Sequence, residues 1–259
     1  MARRPMMAAN WKMNKLVGEA REYVEGLLPR IEGPEGVDVA IFAPFTSLGE
    51  VVRLTQGTPV VAGAQNFFYE DSGAFTGEVS APMLEDVGAG AVIVGHSERR
   101  EIFGETDETV GRKAARAVSA GLLPVVCVGE TKEERDAGSM WKKVSGQVRA
   151  VFEHLDAGEA GGEAIVFAYE PIWAIGTGET ATPEDAQDAI GRIRGLLGEL
   201  GGEDFAREVR VLYGGSIKPG NVDDIMAQKD VDGGLVGGAS LESESFGELV
   251  NGASKASGG

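Results

Sequence analysis

At 259 residues and 42% hydrophobic content, the chain is long enough to bury a large core, and its length suits a single α/β barrel. A formal charge of −17 disfavours nucleic acid and anionic membranes as partners and favours solubility. Cys127 is the only cysteine, so no intrachain disulfide can form, which fits a reducing cytoplasm. No run approaches the roughly 18 apolar residues of a membrane span, and the start "MARRPMMAANWK" has no apolar stretch of secretory length.

Taken in chain order, the first apolar run, "PMMAANW" (5–11), predicts a strand that ends on Asn10, with Lys12 two residues on and pointing to the same face. A solvated strand end is the bland alternative for this pair. "VDVAIFAP" (37–44) and "PVVAGAQ" (59–65) predict the next strands, the latter leading to Gln65 and Asn66. The segment "QNFFYEDSGAFTGEVSAP" (65–82) is long for a loop. Its Phe67, Phe68, Tyr69 and Phe75 read as exposed aromatics that form a partner surface.

"AVIVGHS" (91–97) brings His96, followed by Ser97 as the cap of a short helix starting at Glu98. A helix N-terminus beside the ring disfavours the imidazolium and leaves a neutral hydrogen-bond donor. The alternative is a core histidine satisfied by backbone. His154, in a charged stretch, reads as a surface residue. Thr106 opens the helical pattern "TDETVGRKAARAVSAG", which Gly121 stops. "LLPVVCVGE" (122–130) holds Cys127, read as a small packing residue, since no histidine adjoins it in sequence to activate a nucleophile. Thr131 opens what reads as one helix, "TKEERDAGSMWKKVSGQVRAVFEHL".

"AIVFAYEP" (164–171) ends on Glu170, and Pro171 fixes the direction in which the chain leaves. Ile172, Trp173, Ala174 and Ile175 are too apolar for an ordinary exposed loop and read as the inner face of a lid; a structural loop packed on the barrel is the alternative. Gly176 and Gly178 let such a lid bring backbone N–H groups against a ligand. Thr182-Pro183-Glu184 opens the next helix. The runs "VRVLYGGS" (209–216) and "GGLVGGAS" (233–240) complete the strands, and each places glycine-rich backbone before a helix, as an anion cradle does.

Strand, loop and helix thus alternate eight times. The near-continuous apolar strands suit a parallel sheet covered by helices. The expected architecture is α/β, a single (β/α)8 barrel over residues 1–259, with 252–259 a disordered tail. A doubly wound open sheet is disfavoured because no G-x-G-x-x-G turn follows the first strand. In such barrels chemistry gathers at the C-terminal strand ends. Those ends carry Asn10, Lys12, Gln65, Asn66, His96, Glu130, Glu170, Ser216, Gly237 and Gly238. Two distant histidines and one cysteine offer no metal-ligand spacing.

"NWKMN" (10–14), "GHSERR" (95–100), "CVGE" (127–130), "AYEPIWAIGTG" (168–178), "YGGSIKPGN" (213–221) and "LVGGASL" (235–241) closely resemble the triosephosphate isomerase family, in register over nearly the whole chain. That family is the standard instance of a carboxylate base working beside a neutral histidine. The resemblance implies cofactor-free interconversion of dihydroxyacetone phosphate and glyceraldehyde 3-phosphate, in glycolysis and gluconeogenesis. It implies Glu170 as base, His96 as the neutral group polarising the carbonyl, Lys12 as the positive charge and Asn10 as a holder of substrate oxygens. Gly176, Ser216, Gly237 and Gly238 would bind the phosphoryl group, with Glu98, Ser97 and Cys127 behind the reacting groups. A homodimer is implied too, with loop 65–82 entering the neighbouring subunit through Thr76. Where many members carry Lys in the lid, this chain has Glu179. The rival readings are a Schiff-base aldolase using Lys12 and a phosphate-binding barrel without chemistry.

Overall fold

The computed structural model describes residues 3–31, 36–174 and 181–257. Eight strands form a closed barrel in sequence order: β1 (Met6–Asn10), β2 (Asp38–Ala43), β3 (Val60–Ala64), β4 (Ala91–Val94), β5 (Leu123–Val128), β6 (Val166–Tyr169), β7 (Arg210–Tyr213) and β8 (Gly233–Val236). Every pairing is parallel, and β8 returns to β1 with Met6 opposite Gly233. Closure leaves no strand edge to pair with another chain.

The helices of the first half are α1 (Val17–Leu27), α2 (Phe45–Thr55), α3 (Ala81–Val87), α4 (Ser97–Phe103) and α5 (Asp107–Ser119). Those of the second half are α6 (Lys132–Asp136), α7 (Met140–Phe152), α8 (Ala157–Ala160), α9 (Pro183–Gly201), α10 (Glu203–Glu208), α11 (Val222–Met226) and α12 (Ser243–Ser257).

The two-residue period of a strand divides the core into two. Met7, Ala9, Ile41, Val126 and Phe167 face outward into the helices, whereas Met6, Ala8, Phe42, Val125, Cys127, Ala168 and Leu235 fill the barrel. Parity therefore carries Asn10, after Met6 and Ala8, to the inner side at the mouth. Cys127 is a packing residue of the barrel interior, as its sequence context indicated, and burial pushes its thiol well above the ordinary value.

The structure corrects three expectations. The helix read from Thr131 is two, α6 and α7, broken where Gly138 takes a φ of +67°. Thr131 caps the first by accepting from the Glu134 N–H while Glu134 bonds back to the Thr131 N–H, so the cap was legible and the break was not. Of the expected disordered tail 252–259, residues 252–257 continue α12 as helix, with Gly252 and Ala253 buried, and 258 and 259 lie outside the described residues. The aromatic loop is less exposed than expected. Phe67 is fully buried, Phe68 and Tyr69 are half-buried, and Phe75 is exposed. Phe68 packs on Tyr69 and Phe75 at centroid distances of 4.3 and 4.5 Å, and the Arg112 guanidinium lies 3.8 Å from the Tyr69 ring centroid. Glu70 and Asp71 pair with Arg112 and Arg116 of α5, fixing the base of the loop to its own barrel. Among the described residues no helix is long and apolar enough to cross a membrane.

Candidate active site

The mouth of the barrel holds a cavity of about 710 Å³ lined by Asn10, Lys12, His96, Glu170, Ser216, Gly237 and Gly238. Residues from five different strand ends converge there. The expected residues Gly176, Gly178 and Glu179, with Ile175, lie outside the described residues.

Glu170 follows β6 and is buried, as is His96 after β4. The His96 Nε2–H donates to Glu170 Oε1 at 3.0 Å, and the Ser97 backbone N–H donates to Oε2 at 2.9 Å. On the far side of the ring, the Glu98 backbone N–H donates to His96 Nδ1 at 3.3 Å. Assigned from these partners, Nδ1 is an acceptor without a proton and Nε2 carries the hydrogen, which is the neutral imidazole. The expected cap is corrected here. The helix begins at Ser97, and His96 itself caps it, while the Ser97 N–H is spent on Glu170.

The electrostatics of the pair follow from burial and contact. Burial works against ionising Glu170, but the His96 ring and the Ser97 N–H outweigh it and hold the carboxyl below its ordinary value. Burial likewise works against protonating His96, but the facing Glu170 carboxylate outweighs it and holds the ring above its ordinary value. A carboxylate turned away to meet a ligand would take that raising cause with it. Burial, the half-exposed Glu98 and Lys12 would remain; burial and Lys12 favour the neutral ring, and Glu98 opposes them.

Lys12 Nζ forms an ion pair with Glu98 Oε1 at 2.8 Å, and its backbone N–H donates to Asn10 Oδ1 at 3.0 Å. Lys12 has a φ of +51°, the left-handed region that non-glycine residues rarely adopt. Opposite these residues, Gly237 precedes the short 3-10 helix Gly238–Ser240. The first turn of a helix leaves N–H groups without intrahelical partners, and Gly238 and Ala239 occupy it at the cavity wall. Gly215 must be glycine here, since a Cβ would lie 2.1 Å from the Tyr213 hydroxyl. The site therefore sets a buried carboxylate and a neutral imidazole donor across the cavity from the glycine-rich start of a short helix.

One buried acid at a strand end had no role assigned from sequence. Glu130 Oε1 accepts from the Tyr169 hydroxyl at 3.0 Å, the Trp173 Nε1–H at 2.9 Å and Arg135 at 3.1 Å. Arg135 lies over the Trp173 ring at 4.6 Å and pairs with Asp185 of α9 at 2.7 Å. Glu130 thus ties the start of the segment after Glu170 to β5, β6 and α9. Its signal in sequence was an ionisable residue closing an apolar run, but its partners are 5 to 43 positions away.

The profile of the triosephosphate isomerase family matches residues 5–253. The chain is 75% identical over 252 residues to the triosephosphate isomerase of Rubrobacter xylanophilus, covering 97% of this chain and 98% of that one. The triosephosphate isomerase of Roseiflexus castenholzii is 53% identical over 249 residues, covering 96% and 97% of the two chains. That of Moorella thermoacetica is 51% identical over 249 residues, covering 96% and 98%.

Proposed function

The chain belongs to the triosephosphate isomerase family, and we propose that Glu170, His96, Lys12 and Asn10 carry out its isomerisation of dihydroxyacetone phosphate and D-glyceraldehyde 3-phosphate. The observation that supports these roles most is the His96 ring held between Glu170 and the Glu98 N–H. Glu170 takes a proton from the carbon beside the carbonyl. The His96 Nε2–H donates to the carbonyl oxygen as negative charge gathers there, giving an enediol or enediolate. The same carboxyl returns the proton to the neighbouring carbon, and the imidazole moves protons between the two oxygens. Lys12 stabilises the charge, and one such fixed donor is worth about 2.7–4 kcal/mol in measured cases. Ser216, Gly237 and Gly238 hold the phosphoryl group through the cradle, as does Gly176 by family likeness.

To act as base, Glu170 must leave His96 and the Ser97 N–H for the substrate carbon and approach it within about 3 Å. Glu170→Asp keeps the acid and withdraws it by one methylene. A coupled assay should show kcat falling about 100-fold or more, with binding of inorganic phosphate little changed. Near-normal kcat in that variant removes Glu170 from the base role.

The chain works as a homodimer in the cytoplasm. Its single cysteine, buried in the barrel, suits a reducing compartment. The dimer is supported by where apolar side chains stay exposed. Among the described residues, every large hydrophobic one lies in the segments following β1 to β4, from Met13 and Phe45 through Phe75 and Met83 to Phe103. Such confinement to one side marks an interface. A second cavity of about 300 Å³, lined by Lys12, Met13, Phe45, Gln65, Glu98 and Phe103, adjoins the site; by family likeness it receives Thr76 from the partner's loop 65–82. Sedimentation equilibrium should give a dimer at micromolar concentration; a fully active monomer overturns it.

A further inference from the structure

Lys12 occupies a backbone conformation that costs an L-residue energy, and such conformations persist only where their surroundings over-determine them. Two neighbouring side chains do so here. Both backbone polar groups of Lys12 are held by side chains: its N–H by Asn10 Oδ1 at 3.0 Å, and its carbonyl by the Gln65 Nε2–H at 2.9 Å. A carboxamide NH₂ has two hydrogens. Gln65 spends the other on the Phe42 carbonyl, also at 2.9 Å. That carbonyl accepts from the Trp11 N–H as well, at 3.2 Å. One side chain at the end of β3 therefore joins the chain just beyond β1 to the end of β2, around the residue that carries the ammonium.

We propose that Gln65 is a positioning residue for Lys12: its carboxamide clips the Lys12 and Phe42 carbonyls and so fixes the left-handed turn that sends the Lys12 ammonium toward Glu98 and the cavity. This rests on the reading of Lys12 as the charge that stabilises the reacting oxygens. The clip is the outer of two restraints. Asn10 lines the cavity and has a substrate role of its own, whereas Gln65 is absent from that cavity's wall, lies in the wall of the adjoining second cavity, and bonds to Lys12 and Phe42 rather than to a reacting group. Without the clip, the carbonyl of Lys12 loses its donor and the turn loses one of the two bonds that define it. The ammonium, at the end of a four-carbon stem, is then free to wander with the backbone beneath it.

Gln65→Met keeps length and volume and removes both donors. It should lower kcat/KM by about 10- to 100-fold, the scale of a displacement of about 1 Å in a catalytic group. The deciding measurement is a double-variant cycle. In a Lys12→Met background, Gln65→Met should lower kcat/KM no further, since the residue acts only through Lys12. Additive losses in the double variant mean that Gln65 serves the fold or the subunit contact at the second cavity instead, and an unchanged kcat/KM in Gln65→Met means that Asn10 alone holds the turn; either overturns the proposal. Near-normal kcat/KM in Lys12→Met alone would instead refute the role of Lys12 itself, and the positioning role with it. Far-UV circular dichroism and thermal unfolding accompany each variant. If Gln65→Met does not fold, Gln65→Asn, which retains the amide but falls short of the two carbonyls, is read by the same cycle.

Discussion

At the scale of single residues, the site is governed by who faces His96. The ring has a carboxylate on one nitrogen and a backbone N–H on the other, so its protonation depends on whether Glu170 stays in place. Burial opposes the imidazolium, and the Glu170 charge with its hydrogen bond overcomes that, leaving the ring above its ordinary value of 6.5. Glu170→Gln removes the negative charge, the foremost of the raising causes, and keeps the shape. Burial and Lys12 remain, and both lower the value. Glu98, which also favours the proton, is half-exposed and therefore better screened. The His96 ring of Glu170→Gln should therefore take up its proton at lower pH than in the parent protein. Nitrogen-15 NMR reads this directly, because the only other histidine is the exposed His154. A titration that stays put or moves upward would show that Glu170 is not what raises the ring.

At the scale of elements, the Glu170 carboxylate is placed by how tightly two strand ends interlock. The Glu170 N–H donates to the Val128 carbonyl at 2.8 Å, and the Ile172 N–H to the Glu130 carbonyl at 3.1 Å, so β5 and β6 stay in step beyond their last paired residues. Gly129 lies between these contacts. A Cβ there would sit 1.8 Å from the Glu170 carbonyl oxygen, a backbone atom that cannot rotate away. Gly129→Ala must push the end of β6 aside and carry the carboxylate with it. The expected loss in kcat is about 100-fold, with far-UV circular dichroism still that of the barrel. Normal turnover would mean that the strand ends can part without moving the carboxylate. The strands themselves were legible in sequence, because each is an apolar run closed by a polar residue, a glycine or a proline. Asn10, Lys12, His96 and Glu170 were legible as a set for the same reason. The break between α6 and α7 was not. A glycine in a charged helical pattern gives no sign by itself that the chain turns left-handed there. Nor were the duties of Glu130 and Gln65, whose hydrogen bonds run to neighbouring strands and loops that only the closed barrel brings within reach.

At the scale of the whole molecule, a chain of formal charge −17 must admit a dianionic substrate. Its general field repels the ligand, so the cations at the mouth decide the encounter. Among the residues lining the cavity only Lys12 and Lys218 are basic, and Lys12 is already paired with Glu98. Lys218 is exposed on the loop after β7, beside Ser216, and among the described residues it has no ion pair. It is therefore the uncompensated positive charge on the approach to the cradle. For a dianion passing at about 10 Å, Coulomb attraction in water, screened over a Debye length of about 30 Å at 0.01 M salt, is worth roughly a 3-fold gain in encounter. At 0.15 M, with a Debye length of about 8 Å, the gain shrinks to roughly 1.5-fold. Lys218→Gln should lower kcat/KM by these factors where encounter limits the rate, and leave kcat nearly unchanged. An ionic-strength series with an inert salt that does not occupy the anion cradle tests it. A loss that is the same at both salt concentrations would place Lys218 in contact with the bound phosphate rather than on its path. A fall in kcat would mean that it acts on the loop that carries Ser216.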